Sequence, residues 1–349
     1  MRGASEQRDS ILWGGRFLPR SERCPSPPQL NQHHSGYCEA MILDAAQTEQ
    51  VLPYEEMTRA LLAVLRDAAT YVPPRQILPM ATGGRLLVMP AVGRHAVMSK
   101  NITVVSENTG RGLPAIQGDV LVFDPETGER QMVLSGPTVT ARRTAAVSLL
   151  AAQVTGFTAK GPMLIVGAGV QGRAHLDAFY ECLGIDTFFV ASRSSASADV
   201  LVAYARDRGL QAQRVDDPNA VLGQCAYVVT TTTASGPVMH GVPAAGSFVA
   251  AVGAFTPEMS EWSVTVCQTL ATTAQLVVDT PDAIHEAGDL LQANIDVAAL
   301  PSLAHIIARP PAWCDPGLST RPTVFFKSCG WAGWDLAAAQ CALANRSML

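Results

Sequence analysis

Leu164-Ile165-Val166-Gly167-Ala168-Gly169-Val170-Gln171-Gly172 runs an apolar stretch straight into a glycine-rich turn. A run without polar residues is what a parallel strand buried on both faces requires. The spacing Gly167-x-Gly169-x-x-Gly172 suits a turn that opens a helix beneath a pyrophosphate. Gly167 permits the tight turn, Gly169 lets the backbone approach the phosphates, and Gly172 lets the helix pack close to the strand. Val170 and Gln171, between the glycines at the helix N-terminus, belong to the same expected dinucleotide site.

Working outward, the next apolar run, Phe188-Phe189-Val190-Ala191, ends in Ser192-Arg193-Ser194. An acid at this place would bind a ribose hydroxyl. Here a guanidinium stands between two hydroxyls, which favours a 2'-phosphate. NADPH is therefore the expected cofactor, with NADH as the alternative. Further strands are expected near 226–230, 247–252 and 275–278, and helices at 171–182, 196–208 and 218–223. Strand alternating with helix predicts a parallel sheet with right-handed crossovers, a Rossmann domain. Thr230 and Thr231, and Val252 before Gly253, fall at carboxyl ends of these strands and are expected to line the cofactor path.

The flanking sequence reads differently. Residues 85–90, 95–100, 118–123 and 132–134 predict strands, with Asp124-Pro125-Glu126-Thr127-Gly128 as a turn, so a curved antiparallel sheet is expected. Met57, Leu61, Leu62, Val64 and Leu65 mark a helix before it, and 138–157 a helix after it. An alanine-rich helix near 334–346 is expected to pack back on this part. The predicted organisation is α/β: a Rossmann domain over 156–323 plus a second, α+β substrate-binding and dimerisation domain over 41–155, completed by 324–349. Residues 1–40 have loop composition and read as a disordered extension. Their pair His33-His34 could hold a metal, but a tail is the simpler reading, and no metal site is expected.

Composition narrows the function. The net charge of -5, with no basic block, argues against nucleic-acid binding. Eight scattered cysteines include no CxxC pair, which fits reduced thiols in a cytoplasmic protein. No stretch reads as a membrane span or a secretory segment. Only 16% of residues are charged, which suggests surface buried in an oligomer or simply an alanine-rich genome.

Three basic residues sit in apolar surroundings: Arg75 after two prolines, Lys100 at a strand end, and Arg143 within Thr140-Ala141-Arg142-Arg143-Thr144-Ala145-Ala146. Burying such groups is costly unless they are paired. The partner is either a small anionic substrate or acids brought near by folding. Pro74-Arg75-Gln76, Ser99-Lys100, Ser135-Gly136 with Thr140-Ala141-x-Arg143-Thr144-Ala145-Ala146, Val166 to Gln171, and Phe326-Lys327-Ser328-x-Gly330 together resemble the ornithine cyclodeaminase/mu-crystallin family. The resemblance covers roughly 41–346. It implies a homodimer with a Rossmann domain and a dimerising substrate domain. It also implies that Arg75, Lys100 and Arg143 grip the substrate carboxylate and the reacting centre, and that Thr144, Lys327 and Ser328 join the cofactor site.

One position separates the subclasses. Where the cyclodeaminases carry an aspartate between a glycine and a proline, this chain reads Gly253-Ala254-Phe255-Thr256-Pro257. Phe255 can neither accept a proton nor pair with an amine. Ornithine cyclisation then lacks its acid, and the alanine dehydrogenase reading weakens for the same reason. The segment from Lys327 to Asp335 is similar to bacterial cyclic-imine reductases, so the expected reaction is reduction of Δ1-pyrroline-2-carboxylate and Δ1-piperideine-2-carboxylate. Lys100 is expected to assist protonation of the ring nitrogen, with His175 and His240 as alternatives. Other oxidoreductases of the family, acting on linear ketimines or alanine, and a non-catalytic NADPH-binding protein are the competing readings.

Overall fold

The computed structural model describes residues 40–349 apart from Ala159. The expected extension, with His33 and His34, lies outside the described residues. Strand β1 (Met41–Ile42) leads into α1 (Ala45–Gln50), which Asp44 caps by accepting from the Gln47 N–H while the Gln47 side chain returns to Asp44. Such a reciprocal cap satisfies two orphan donors at once. In α2 (Tyr54–Arg66), Met57, Leu61 and Val64 recur at helical spacing and are buried. Five more strands follow: β2 (Gln76–Pro79), β3 (Arg85–Val92), β4 (Val97–Val104), β5 (Ile116–Phe123) and β6 (Arg130–Ser135). They form one sheet in the order β1-β6-β5-β4-β3-β2, antiparallel except where β1 joins β6. Helix α3 (Gly136–Val154) is buried along most of its length, because it packs on this sheet and on the helix after the glycine turn.

The second sheet contains β7 (Met163–Val166), β8 (Thr187–Ala191), β9 (Gln211–Arg214), β10 (Tyr227–Thr230), β11 (Phe248–Ala251), β12 (Ala274–Val278) and β13 (Thr323–Lys327). Its helices are α4 (Val170–Leu183), α5 (Ser195–Asp207), α6 (Val264–Thr273), α7 (Gly288–Gln292) and α8 (Leu303–Ala308). The strands are all parallel, in the order β12-β13-β11-β10-β7-β8-β9. The winding reverses between β7 and β10, so a crevice opens at their carboxyl ends, where the glycine turn sits. The last helix, α9 (Ala332–Ala344), returns to the first sheet and packs on α2, α3 and β3. Its alanines let these elements approach closely.

The observed elements differ from the expected ones in several places: β1 and β2 were not expected, and β4 runs on to Val104, so that Lys100 lies within the strand and not at its end. Residues 324–327 do not belong to the C-terminal helix. They form the last inserted strand, β13, hydrogen-bonded to β11 and β12 and buried throughout. Thr323-Val324-Phe325-Phe326 is apolar enough to be enclosed on both faces, so it belongs in the middle of a parallel sheet and not on a helix. Strand β9 was not expected: it lies at the sheet edge, and only Ala212 of its four residues is buried.

Candidate active site

The glycine turn is held by sterics. Gly167 has φ +110°, and a Cβ there would lie 2.6 Å from Thr231 Oγ1. A Cβ on Gly172 would lie 2.1 Å from the Gly167 carbonyl oxygen. Beside Gly169, in contrast, the space is open. Thr231 closes the turn from β10: its hydroxyl donates to Gly167 O at 3.1 Å and its N–H to Val166 O at 2.8 Å. No side chain caps α4 at Gly169, so its first N–H groups remain for a ligand. Val170 is exposed at this end. Gln171 Nε2 reaches Thr140 O at 3.4 Å, while Gln171 Oε1 and Thr140 Oγ1 are both buried without a hydrogen-bond partner. Open space, an uncapped helix and two orphaned polar atoms fit a dinucleotide whose phosphates lie on this turn. Thr140 was not among the expected contacts; its hydroxyl became visible only when α3 met α4. Thr144, one turn on, donates to Thr140 O at 2.7 Å.

At the end of β8, Ser192 is half-buried and Arg193 is exposed, with no carboxylate partner among the described residues. Ser194 caps α5 by accepting from the Ser197 N–H at 3.2 Å, which leaves its own O–H to donate. The three polar groups thus stand at the strand end where the cofactor ribose is expected.

The basic residues converge from three elements. Lys100, on the inner face of β4, lies 2.7 Å from Asp335 Oδ2. Arg143 Nε of α3 reaches the other oxygen of the same carboxylate at 3.2 Å. Arg75, just before β2, donates from Nη2 to Glu286 Oε2 at 2.7 Å and to Gly330 O at 3.0 Å. Gly330 joins the groups, since a Cβ there would lie 3.6 Å from a terminal nitrogen of Arg143. The loop bearing Gly330 is fixed by Asp279, whose Oδ2 accepts from the N–H groups of Cys329 and Gly330 at 2.8 Å each.

Burial holds the Lys100 ammonium at about 8, against the pull of Asp335 and with added repulsion from Arg143 and Arg75. Burial likewise pushes the Glu286 carboxyl up to about 7, although Arg75 opposes this. Folding does bring acids to these cations. Three cations nevertheless meet two carboxylates in direct pairs, while Asp279 is occupied by neutral donors. Lys100 and Arg143 share the single Asp335 carboxylate, and Arg143 spends only its Nε there, which leaves its terminal N–H groups for a further small anion.

Several expected site residues serve the core instead. Thr230 donates to Glu261 Oε2 at 2.8 Å and accepts from Trp262 Nε1 at 3.2 Å. Lys327 is fully buried with Nζ 2.8 Å from Asp289 Oδ2, and it also donates to Ala254 O. Ser328 donates to Asp279 at 3.1 Å. Thr230 and Lys327 spend their donors inside the fold, and Ser328 spends its only O–H on Asp279. The reason is the same in each case: a buried acid, Glu261, Asp289 or Asp279, lies beneath the strand ends and uses them. The one local signal was an acid at the end of an apolar run, Leu276-Val277-Val278-Asp279; Glu261, between Ser260 and Trp262, and Asp289, after Gly288, gave none.

Val252 N–H donates to Thr230 O at 2.9 Å, so this residue is tied into the strand end. Phe255, two positions past Gly253, is substantially exposed. His175 is sealed between Gln171 O at 2.8 Å and Ser148 Oγ at 2.9 Å, and burial lowers it to about 4. It is neutral near pH 7 and is no proton carrier. His240 lies exposed on a loop.

Comparison with known proteins shows the family. The model of the ornithine cyclodeaminase/mu-crystallin family matches residues 38–346. The chain is 36% identical over 305 residues to Delta(1)-pyrroline-2-carboxylate reductase 1 of Burkholderia multivorans, a match covering 86% of this chain and 94% of that protein. It is 35% identical over 310 residues to the Delta(1)-pyrroline-2-carboxylate/Delta(1)-piperideine-2-carboxylate reductase of Azospirillum brasilense, with the same coverage of 86% and 94%. The structure of Thermococcus litoralis Delta(1)-pyrroline-2-carboxylate reductase in complex with NADH and L-proline superposes with a TM-score of 0.78 at 25% identity, over 88% of this chain and 97% of that one.

Proposed function

The chain belongs to the ornithine cyclodeaminase/mu-crystallin family, and from that premise we propose that it reduces cyclic imino acids with a nicotinamide cofactor. The substrates are Δ1-pyrroline-2-carboxylate, giving L-proline, and Δ1-piperideine-2-carboxylate, giving L-pipecolate. The observation that carries this reading is the meeting of Arg75, Lys100 and Arg143 around Gly330 and Asp335. Arg75 and Arg143 take the substrate carboxylate and fix the C=N bond in one orientation. Lys100, charged below about pH 8, holds a proton toward the ring nitrogen and so favours the electron-poor iminium form. Phe255 offers an apolar surface to the ring methylenes in place of an acid.

The bound nicotinamide supplies the hydride that reduces the C=N carbon. Gly167, Gly169 and Gly172, with Val170 and Gln171, would cradle its pyrophosphate. Ser192, Arg193 and Ser194 would take a 2'-phosphate, which makes NADPH the preferred form. The lobe built on β1–β6 and α9 is the substrate lobe, and a homodimer forms through it. Support comes from its apolar surface, where Ile77, Leu78 and Val92 are exposed. Among the described residues no helix is long and apolar enough to cross a membrane. A cytoplasmic setting fits the free thiols of the described cysteines.

The test is oxidation of NADPH and NADH with both imines, wild type beside Arg75→Ala. Loss of a charged clamp is expected to lower kcat/KM by about 10²-fold. A near-normal rate in Arg75→Ala would remove that residue from the site.

A further inference from the structure

Arg75 and Glu286 come from opposite lobes, yet they form the outermost ion pair of the cation cluster. Their side chains are 20% and 22% exposed, whereas Lys100 and Asp335 are sealed at 1% and 0%. A ligand arriving from solvent meets the outer pair first. The chain just after Glu286 is closely packed. Gly288, two residues on, packs so tightly that a Cβ there would lie 2.0 Å from Met259 O and 2.5 Å from Thr256 O.

The use of Arg75 Nη2 is informative. A guanidinium binds a carboxylate in a two-pronged manner through Nη2 with Nε, or through Nη2 with Nη1. Both modes therefore need Nη2, and Nη2 is already shared between Glu286 Oε2 and Gly330 O. The Gly330 carbonyl is a backbone group on a loop that Asp279 anchors through the N–H groups of Cys329 and Gly330. The Glu286 side chain can rotate away. A second carboxylate can take the arginine fork only where the first gives way.

We propose that Glu286 is a stand-in carboxylate that competes with the substrate's own for Arg75, so that ionised Glu286 weakens binding of the imino acid and protonated Glu286 admits it. This rests on the reading that the substrate carboxylate meets Arg75. The groups facing Glu286 are Arg75, Asp279, Asp282 and Cys329. Burial and the two aspartates favour its neutral form, and Arg75 favours the charged one; the balance lies near pH 7. Below that point the carboxyl is neutral and its hold on Arg75 is weakest. Above it the anion forms and the site closes to a second carboxylate. Glu286 is thus a positioning residue that acts through Arg75.

The probe is pyrrole-2-carboxylate, a planar five-ring acid whose ring does not titrate near neutrality. Its inhibition constant is measured against imine reduction in wild type and Glu286→Gln. If only neutral Glu286 admits the ligand, the wild-type constant exceeds the variant's by about thirtyfold at pH ~8.5 and matches it near pH ~5.5. Deprotonation of Lys100 affects both proteins and cancels in the ratio. Should Glu286→Gln fail to fold, the wild-type constant alone decides between pH ~5.5 and ~7, where Lys100 stays almost wholly charged and a rise of about twofold is expected. A ratio that stays constant with pH, a Glu286→Gln protein that binds more weakly throughout, or a flat wild-type profile overturns the proposal while leaving the reductase reading intact. A wild-type protein that turns over neither imine at any pH removes that reading, and this inference with it.

Discussion

Arg75, Lys100 and Arg143 could be picked out of the sequence because each is a cation among apolar or stiff neighbours, an arrangement that costs energy without a partner. Their partners could not. Asp335 lies 235 residues from Lys100 and 192 from Arg143, and Glu286 lies 211 from Arg75. No local pattern links such positions. Phe255 was legible for the opposite reason, since its meaning lies in the side chain itself. Arg193 carries a prediction at this scale. It is exposed and unpaired among the described residues, so removing it should cost little stability. Arg193→Ala is expected to lower kcat/KM with NADPH by about tenfold or more and to leave the NADH value nearly unchanged, as loss of one charge-assisted contact should. Equal losses with both cofactors would show that Arg193 does not meet the 2'-phosphate.

Elements with a strong internal period were read closely. The strand, turn and helix at 163–183 were expected from contiguous residues, because a glycine turn and an apolar run are local properties. Strand β9 was missed because an edge strand buries too little to impose a pattern, and β13 was given to the wrong lobe because its place depends on β11 and β12. Helix α4 also carries His175, whose burial removes it as the alternative to Lys100 for carrying the proton. Buried and held to about 4, the imidazole stays neutral in the fold while an unfolded chain protonates near the ordinary 6.5. The unfolded state then binds more protons between those values, so stability falls as pH drops through that window, by on the order of 3 kcal/mol from this group. Denaturant unfolding near pH 7 and pH 4.5 should show this loss, and His175→Gln should show less of it. An identical pH dependence in the two proteins would rule the histidine out as the cause.

For the molecule as a whole, buried acids decide which polar groups face the crevice. Glu261 gathers Thr230, Thr232 and the Gly253 N–H, while Asp289 fixes the backbone of Glu261 and Trp262 and pairs with Lys327. This network ties β10, β11 and β13 together under the carboxyl ends of the strands. Replacing Lys327 by methionine leaves Asp289 without its cation, and loss of one member of a buried pair costs about 3–5 kcal/mol. Lys327→Met is therefore expected to unfold at markedly lower denaturant. A variant of wild-type stability whose KM for the cofactor rises would return Lys327 to the cofactor site.

The sequence by itself determined the alternation of strands and helices, the glycine turn, the absence of an acid at 255, and the three costly cations. These are properties of neighbouring residues and survive without knowledge of where the chain goes next. Only the tertiary structure decided the order of the strands, the lobe to which 323–327 belongs, and the acids that meet Arg75, Lys100, Arg143 and Lys327. Those depend on surfaces brought together from tens to more than two hundred residues apart, and ion pairing within the enclosed interior favours whichever partner the packing places within reach.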